Sequence, residues 1–193
     1  MSERLKQINA RIASSIAVKQ AFGGDLKANV SRACDAIIEA HEAGKRVLVL
    51  GNGGSACDAE HFALELVGRF LRKRDALDVT ALTTNGALLT CLDNDYPSQD
   101  MIFARQIQAH ARPGDIVFAI STSGNSPNVL EALQEAKKRG ARTIGLTGES
   151  GGKMASLCDV LLNVPSTETP RIQESHVLII HLICEFVEAA IAE

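Results

Sequence analysis

The spacing of apolar residues changes once along the chain, near residue 44. Before this point, the spacing and the end residues predict two long helices, from about Ser2 to Phe22 and from about Asp25 to Ala43. After it, short runs rich in β-branched residues alternate with helical stretches. The predicted strands are 46–50, 79–84, 116–121, 143–147 and 160–164. The predicted helices among and after them are 56–70, 86–92, 97–111, 127–139, 152–157 and 170 to the C-terminus.

Strands that alternate with helices and are apolar on both faces indicate a parallel sheet covered on both sides. We therefore predict an α/β fold, a three-layer α/β/α sandwich. Its core is a five-stranded, parallel, doubly wound sheet of the flavodoxin-like kind, preceded by the two leading helices. A chain of 193 residues has the length of one domain, so we assign residues 1–193 to a single domain.

The first helix carries an apolar stripe that the alternating part of the chain leaves without a partner. The stripe contains Ile8, Ile12 and Ile16 and continues through 18–21. A helix with such a stripe packs on another subunit or folds back on its own sheet, and the sequence is compatible with both arrangements. We place residues 1–44 in an oligomer interface.

Composition excludes one class of partner. The chain is 46% hydrophobic and 22% charged, with a net charge of −3, as in an ordinary soluble globular protein. A slightly negative protein does not attract polyanions, and the absence of Trp and the single Tyr leave no platform for stacking bases. We therefore expect no nucleic-acid partner.

The cysteines and the N-terminus bear on location. The five cysteines are widely spaced and include no C-x-x-C pair, which predicts reduced and mostly buried thiols. The first residues mix charges instead of forming a signal peptide, and no apolar run approaches the length that spans a bilayer. We predict a cytoplasmic protein with no membrane partner.

Two loops rich in glycine and serine follow predicted strands. The first, GNGGS at 51–55, follows the strand VLVL, and the second, STSGNS at 121–126, follows the strand that ends in FAI. The two loops follow the first and third strands, which are neighbours in a common doubly wound strand order. We therefore expect the loops to face each other at the edge of the sheet where such folds bind ligands. Glycines, hydroxyls and a helix N-terminus together suit a phosphate group.

Ordinary turn chemistry would explain either loop alone. Two such loops at one edge of the sheet favour a phosphate site. Neither loop contains the Lys of a nucleotide P-loop, and the first lacks the G-x-G-x-x-G spacing of a dinucleotide site. The predicted ligand is therefore a small phosphorylated metabolite.

Three residues are candidates for acid–base or metal chemistry. His61 and Glu65 are four residues apart on the helix after the first loop, so they share a face and suit a divalent metal or an acid–base pair. A surface ion pair is the alternative interpretation. His181 lies in a nearly all-apolar stretch of the last helix, where a core histidine and a catalytic histidine both remain open.

The motifs GNGGSACDAEHFALEL, CLDNDY, STSGNSPNV, LTGESGGKMA and RIQESHVLIIH, in this order, resemble the sugar isomerase (SIS) domain family, over nearly the whole chain. The resemblance implies an aldose–ketose isomerase that converts sedoheptulose 7-phosphate to D-glycero-D-manno-heptose 7-phosphate through an enediol. That reaction is the first step of ADP-heptose synthesis for the lipopolysaccharide core. The resemblance also implies a homotetramer with active sites between subunits.

The resemblance further implies residue roles. Glu65 and His181 would be the catalytic base and acid. Zinc ligands would be His61, Glu65, Gln173 and His181. Substrate-binding residues would be Asn52, Gly53, Gly54, Ser55, Glu65, Asn94, Asp95, Ser121, Thr122, Ser123, Ser126 and Gln173. Because a Glu bound tightly to zinc is a poor base, either Glu65 is a loose ligand or the metal is mainly structural.

Two questions stay open. Gln173 and His181 lie roughly 12 Å apart along one straight helix, so one metal requires either that both side chains reach toward each other or that two chains contribute, and we expect the second arrangement. The alternative function is a non-catalytic sugar phosphate-binding protein that acts as a regulator or as a partner of a replication initiator. An isomerase of a hexose or pentose phosphate is a third possibility, since only the resemblance indicates seven carbons.

Overall fold

The sheet has the predicted architecture. The computed structural model describes residues 2–96 and 100–192. Its strands are β1 (Val47–Gly51), β2 (Val79–Ala81), β3 (Ile116–Ser121), β4 (Arg142–Thr147) and β5 (Val160–Asn163). All neighbouring strands are parallel, in the order β2-β1-β3-β4-β5. The prediction of a five-stranded, parallel, flavodoxin-like sheet is confirmed.

The helices lie close to their predicted positions. They are α1 (Glu3–Gln20), α2 (Gly24–Glu42), α3 (Gly54–Val67), α4 (Gly86–Asp95), α5 (Met101–His110), α6 (Pro127–Lys138) and α7 (Thr169–Ile191), with a 3₁₀ turn at Gly152–Ser156. The predicted start of α5 at Pro97 lies outside the described residues. The prediction that β2 runs to residue 84 is wrong, because the chain turns after Ala81 and the Thr84 hydroxyl donates to the Ala81 carbonyl.

Each face of the sheet has its own core. Alternate strand residues such as Val49 and Phe118 pack with α2, α3 and α7, whereas Leu50 and Val117 pack with α5 and α6. Successive side chains of a strand point to opposite faces, so a strand covered on both sides needs apolar residues at every position. This explains the unbroken apolar runs in the sequence.

The first helix stands apart from both cores. No residue of α1 is buried, and α1 packs along α7. Four large apolar side chains on it are about half exposed: Leu5, Ile8, Ile12 and Ile16. Folding back on its own sheet is therefore not the arrangement that the structure shows, and the apolar stripe stays uncovered within one chain.

The cysteines only partly meet the prediction of buried thiols. Cys34 and Cys184 are buried, but Cys57 and Cys91 are exposed, since they lie on the solvent-facing sides of α3 and α4. All five cysteines are free. Within the described ranges, no helix combines the length and the apolar character needed to cross a membrane.

Candidate active site

The two loops meet at the carboxyl edge of the sheet. We call residues 51–55 the first loop and residues 121–126 the second loop. Gly51 and Ile120 are partners in the β1–β3 pairing, so the loops leave the sheet side by side. The side-chain amides of Asn52 and Asn128 exchange two hydrogen bonds, at 2.8 and 2.9 Å, and so link the first loop to the start of α6.

The hydroxyl groups of the second loop converge. Ser121 is buried at the end of β3, and its hydroxyl lies 3.0 Å from that of Ser126 and 3.5 Å from that of Ser123. Ser126 is the residue that precedes α6, yet its side chain does not cap the helix. Capping chemistry therefore does not account for this serine. Hydroxyl donors grouped at a helix N-terminus form a site for an anion.

A third segment braces the second loop. The backbone N–H of Met154 donates to the Gly124 carbonyl at 3.0 Å, and that of Lys153 donates to the Asn125 side-chain oxygen at 3.0 Å. Gly124 has a φ of +64°, and a Cβ there would collide with the carbonyl oxygen of Gly151. The motif LTGESGGKMA thus holds the second loop by backbone contacts, a role that sequence reasoning missed.

The first loop is approached by the last helix. The Gln173 side-chain amide of α7 lies against Gly54, where a Cβ would collide with it. Gly53 has a φ of +54°, a conformation that favours glycine, and Ser55 is buried at the start of α3. The glycines at 53 and 54 therefore allow both the turn and the close approach of Gln173.

Three titratable side chains meet between α3 and α7, and we call them the His–Glu–His cluster: His61, Glu65 and His181. His61 Nε2 lies 3.1 Å from a Glu65 carboxylate oxygen and 3.4 Å from His181 Nε2. One potential ligand atom from each residue lies within 4.8 Å of the others, and all three side chains are half-buried. The two histidine rings meet edge to face, with centroids 5.0 Å apart.

The cluster forms within one chain. Packing of α3 on α7 brings these three residues together, whereas the expectation that the complete metal site draws on two chains stays a prediction. Two imidazole nitrogens and a carboxylate oxygen are ligands that zinc takes in proteins, so the cluster could hold a divalent metal. Gln173, predicted as a fourth ligand, lies beside the first loop at the start of α3.

Asn94 and Asp95 lie on α4 and are exposed. Within the part of the chain that the structure describes, the Asp95 carboxylate accepts hydrogen bonds from the Asn94 amide at 2.9 Å and from the Cys91 thiol at 3.2 Å, and neither residue's side chain bonds to either loop. The hydrogen bond from Asn94 lowers the pKa of Asp95. Their contact with substrate stays a prediction.

Sequence reasoning also passed over Asp58. It lies on α3 between the first loop and the cluster and is 8% exposed, and one of its carboxylate oxygens has no hydrogen-bond partner among the described residues. Burial raises the pKa of Asp58 to about 6, although His61 nearby lowers it. The only sequence signal was an acidic residue three positions before His61, which is too common to single out.

The geometry can be set beside known proteins. The family model of the SIS domain matches residues 12–148 of this chain. A phosphoheptose isomerase of Geobacter sp. (strain M21) is 48% identical over 184 residues, which make up 95% of each chain. The chain belongs to the SIS domain family. The resemblance drawn from the five motifs is therefore confirmed.

Solved structures agree with this membership. A phosphoheptose isomerase from Neisseria gonorrhoeae has a TM-score of 0.90 and 41% identity, covering 96% of this chain and 98% of that one. Another from Francisella tularensis has a TM-score of 0.92 and 37% identity, covering 98% of this chain and 100% of that one. This SIS domain protein therefore shares its whole architecture with these isomerases, including the two leading helices.

Proposed function

We propose that this SIS domain protein is an aldose–ketose isomerase that converts sedoheptulose 7-phosphate to D-glycero-D-manno-heptose 7-phosphate through an enediol. This is the first step of ADP-heptose synthesis for the lipopolysaccharide core. The observation that carries the proposal is the His–Glu–His cluster together with the first and second loops, whose composition suits a phosphate group. The choice of a heptose phosphate is supported by relatives named phosphoheptose isomerase that align with nearly the whole chain.

The phosphate of the substrate binds in the second loop. Ser121, Thr122, Ser123 and Ser126 donate hydroxyl hydrogens to its oxygens, and the N-terminus of α6 adds its positive dipole end. The sugar chain then runs along the first loop. There the proposed contacts are with Asn52, Gly53, Gly54, Ser55 and Gln173, and with Asn94 and Asp95 from α4.

The reaction moves one hydrogen from C1 of the ketose to C2. The Glu65 carboxylate takes the proton from C1, and the electron pair of that bond forms the C1–C2 double bond of the enediol. His181 donates a proton to the former carbonyl oxygen at C2. Glu65, once its proton has exchanged with solvent, returns a proton to C2, and His181 takes up the C1 hydroxyl proton, which gives the aldose and restores both groups. The closeness of both side chains to His61 supports this pairing, because one small substrate segment can reach both.

We propose zinc as the cofactor, with His61, Glu65, His181 and Gln173 as its ligands. The donor atoms of the cluster support this choice. A bound divalent ion would polarise the substrate carbonyl and stabilise negative charge on its oxygen.

We propose a homotetramer whose interface includes α1. Its support is the apolar stripe on α1, because large exposed apolar patches usually mark contact surfaces. Light scattering tests it: Ile12→Asp should give a smaller assembly than the wild type. Ala10→Asp, on the other side of the helix, is the control and should leave the mass unchanged. An unchanged mass for Ile12→Asp would count against α1 in the interface.

The cytoplasmic location stays a prediction from cysteine usage.

One experiment separates the isomerase from a regulator or a replication-initiator partner that only binds sugar phosphates. The protein is incubated with sedoheptulose 7-phosphate in deuterated water, with and without a chelator, and products are read by NMR and mass spectrometry. Aldoheptose 7-phosphate with deuterium at C2 is expected, and the chelator should reduce its rate. Saturable binding without turnover after metal is restored would favour the binding protein. The intact cluster weighs against that alternative, because a protein that only binds does not need it.

A further inference from the structure

The chain that follows α3 is tied to α7 by one buried carboxylate. Glu188 lies two helical turns after His181 on α7 and is 1% exposed. Its carboxylate accepts hydrogen bonds from three consecutive backbone N–H groups, those of Phe70 at 2.9 Å, Leu71 at 2.5 Å and Arg72 at 2.7 Å. The segment 70–72 therefore wraps around a single side chain of α7.

Arg74 completes this contact. Its guanidinium lies 3.4 Å from the Glu188 carboxylate, and each of the two side chains is only 1% exposed. Burial alone would raise the pKa of Glu188, but the three N–H groups and Arg74 together lower it below its usual value. Glu188 is thus a buried charge with its partners in place, which is expensive to keep inside a protein unless the geometry is good.

Arg74 and Phe70 contact the proposed catalytic base and acid. Arg74 donates to the backbone carbonyl of Glu65 at 2.8 Å and to that of Gly68 at 3.2 Å, so it caps the last turn of α3. The ring of Phe70 packs on the imidazole of His181, with centroids 5.4 Å apart and planes tilted by 34°. Arg74 therefore contacts the backbone of the proposed base directly, and Glu188 is linked to the proposed acid through Phe70.

We propose that Glu188 and Arg74 are positioning residues of the isomerase, which set the end of α3 and the Phe70 ring and thereby the separation of Glu65 and His181. The inference rests on the proposed function. Neither residue touches the side chain of Glu65 or His181 in the described contacts, so both act through the backbone of α3 and through Phe70. The second loop is held by the segment 148–154 and should not respond.

The test uses Glu188→Gln in the zinc-loaded full chain, with Glu185→Gln as the control. Glu185 lies one turn earlier on α7 and is exposed. Glu188→Gln should lower kcat and zinc affinity by about 10- to 100-fold, as groups behind metal ligands do, while KM stays near the wild-type value. Zinc affinity is measured by competition with a chromophoric chelator. The control should change neither quantity.

A second pair of variants decides the matter if Glu188→Gln does not fold. Phe70→Leu leaves Glu188 and its backbone partners in place but removes the ring from His181, so it should lower kcat, whereas Phe70→Tyr should restore it. Wild-type kcat in a folded Glu188→Gln or in Phe70→Leu would overturn the inference, as would a raised KM at constant kcat. Wild-type protein without any turnover would instead overturn the proposed function, and this inference with it.

Discussion

The second loop and the His–Glu–His cluster are built in different ways. The second loop consists of hydroxyls and backbone groups whose protonation does not change near neutral pH, and backbone contacts from the segment 148–154 hold it. The cluster consists of titratable side chains from two helices, and side-chain contacts hold it. One region thus suits constant binding of a charged group, and the other suits proton transfer.

This difference separates the expected effects of mutation. Phosphate contacts are made equally in the ground state and the transition state, so damage to the second loop should appear in KM. The groups that transfer protons act only in the transition state, so a mutation in the cluster should lower kcat. Variants that break this separation would show that the two regions are coupled.

The largest effect is expected in the cluster. Glu65→Gln and His181→Gln keep size and polarity but remove proton transfer, so each should lower kcat by about 10²- to 10⁴-fold with an intact fold. Turnover is followed by NMR and folding by circular dichroism. His110→Gln, at the exposed end of α5, is the control. Near wild-type turnover in either cluster variant would show that its proposed role is wrong.

A smaller effect is expected from Gly124→Ala in the second loop. The φ of +64° and the collision with Gly151 strain the loop by about 1–3 kcal/mol, which corresponds to a rise in KM of roughly 5- to 150-fold. Gly23→Ala is the matched control, because a Cβ there has open space around it. Steady-state kinetics that show an unchanged KM for Gly124→Ala would argue against a braced phosphate loop.

Removing single hydroxyls should have a smaller effect again. Ser121→Ala and Ser123→Ala each lose one donor to a charged phosphate, and we expect KM to rise about tenfold with kcat nearly constant. Binding of inorganic phosphate, measured by calorimetry, should weaken in parallel. A loss of kcat at constant KM would place these serines in the chemistry and would end the separation between the two regions.

The smallest effect is expected at Cys57. It lies on α3 between the first loop and the cluster, but its side chain is exposed. Cys57→Ala should keep kcat and KM within a factor of a few of the wild type. A loss of more than roughly tenfold in kcat, about 1.4 kcal/mol of barrier, would show that the thiol takes part in the reaction.

Much of the site followed from local sequence signals. The i, i+4 spacing placed His61 and Glu65 on one face of α3, and the strand pattern placed both loops at one edge of the sheet. Asn128 also belongs to the motif STSGNSPNV, but sequence reasoning did not single it out. Its role became visible only in the paired amides with Asn52, because nothing local distinguishes it from a helix-capping asparagine.

The sequence by itself determined the alternation of strands and helices, because apolar periodicity reports which faces of each element are covered. It also determined that phosphate-type loops follow β1 and β3. Only the tertiary structure decided that His181 meets His61 across 120 residues of sequence and that Glu188 holds the segment after α3. Such contacts depend on how two helices pack against each other, and periodicity along one helix carries no record of its partner.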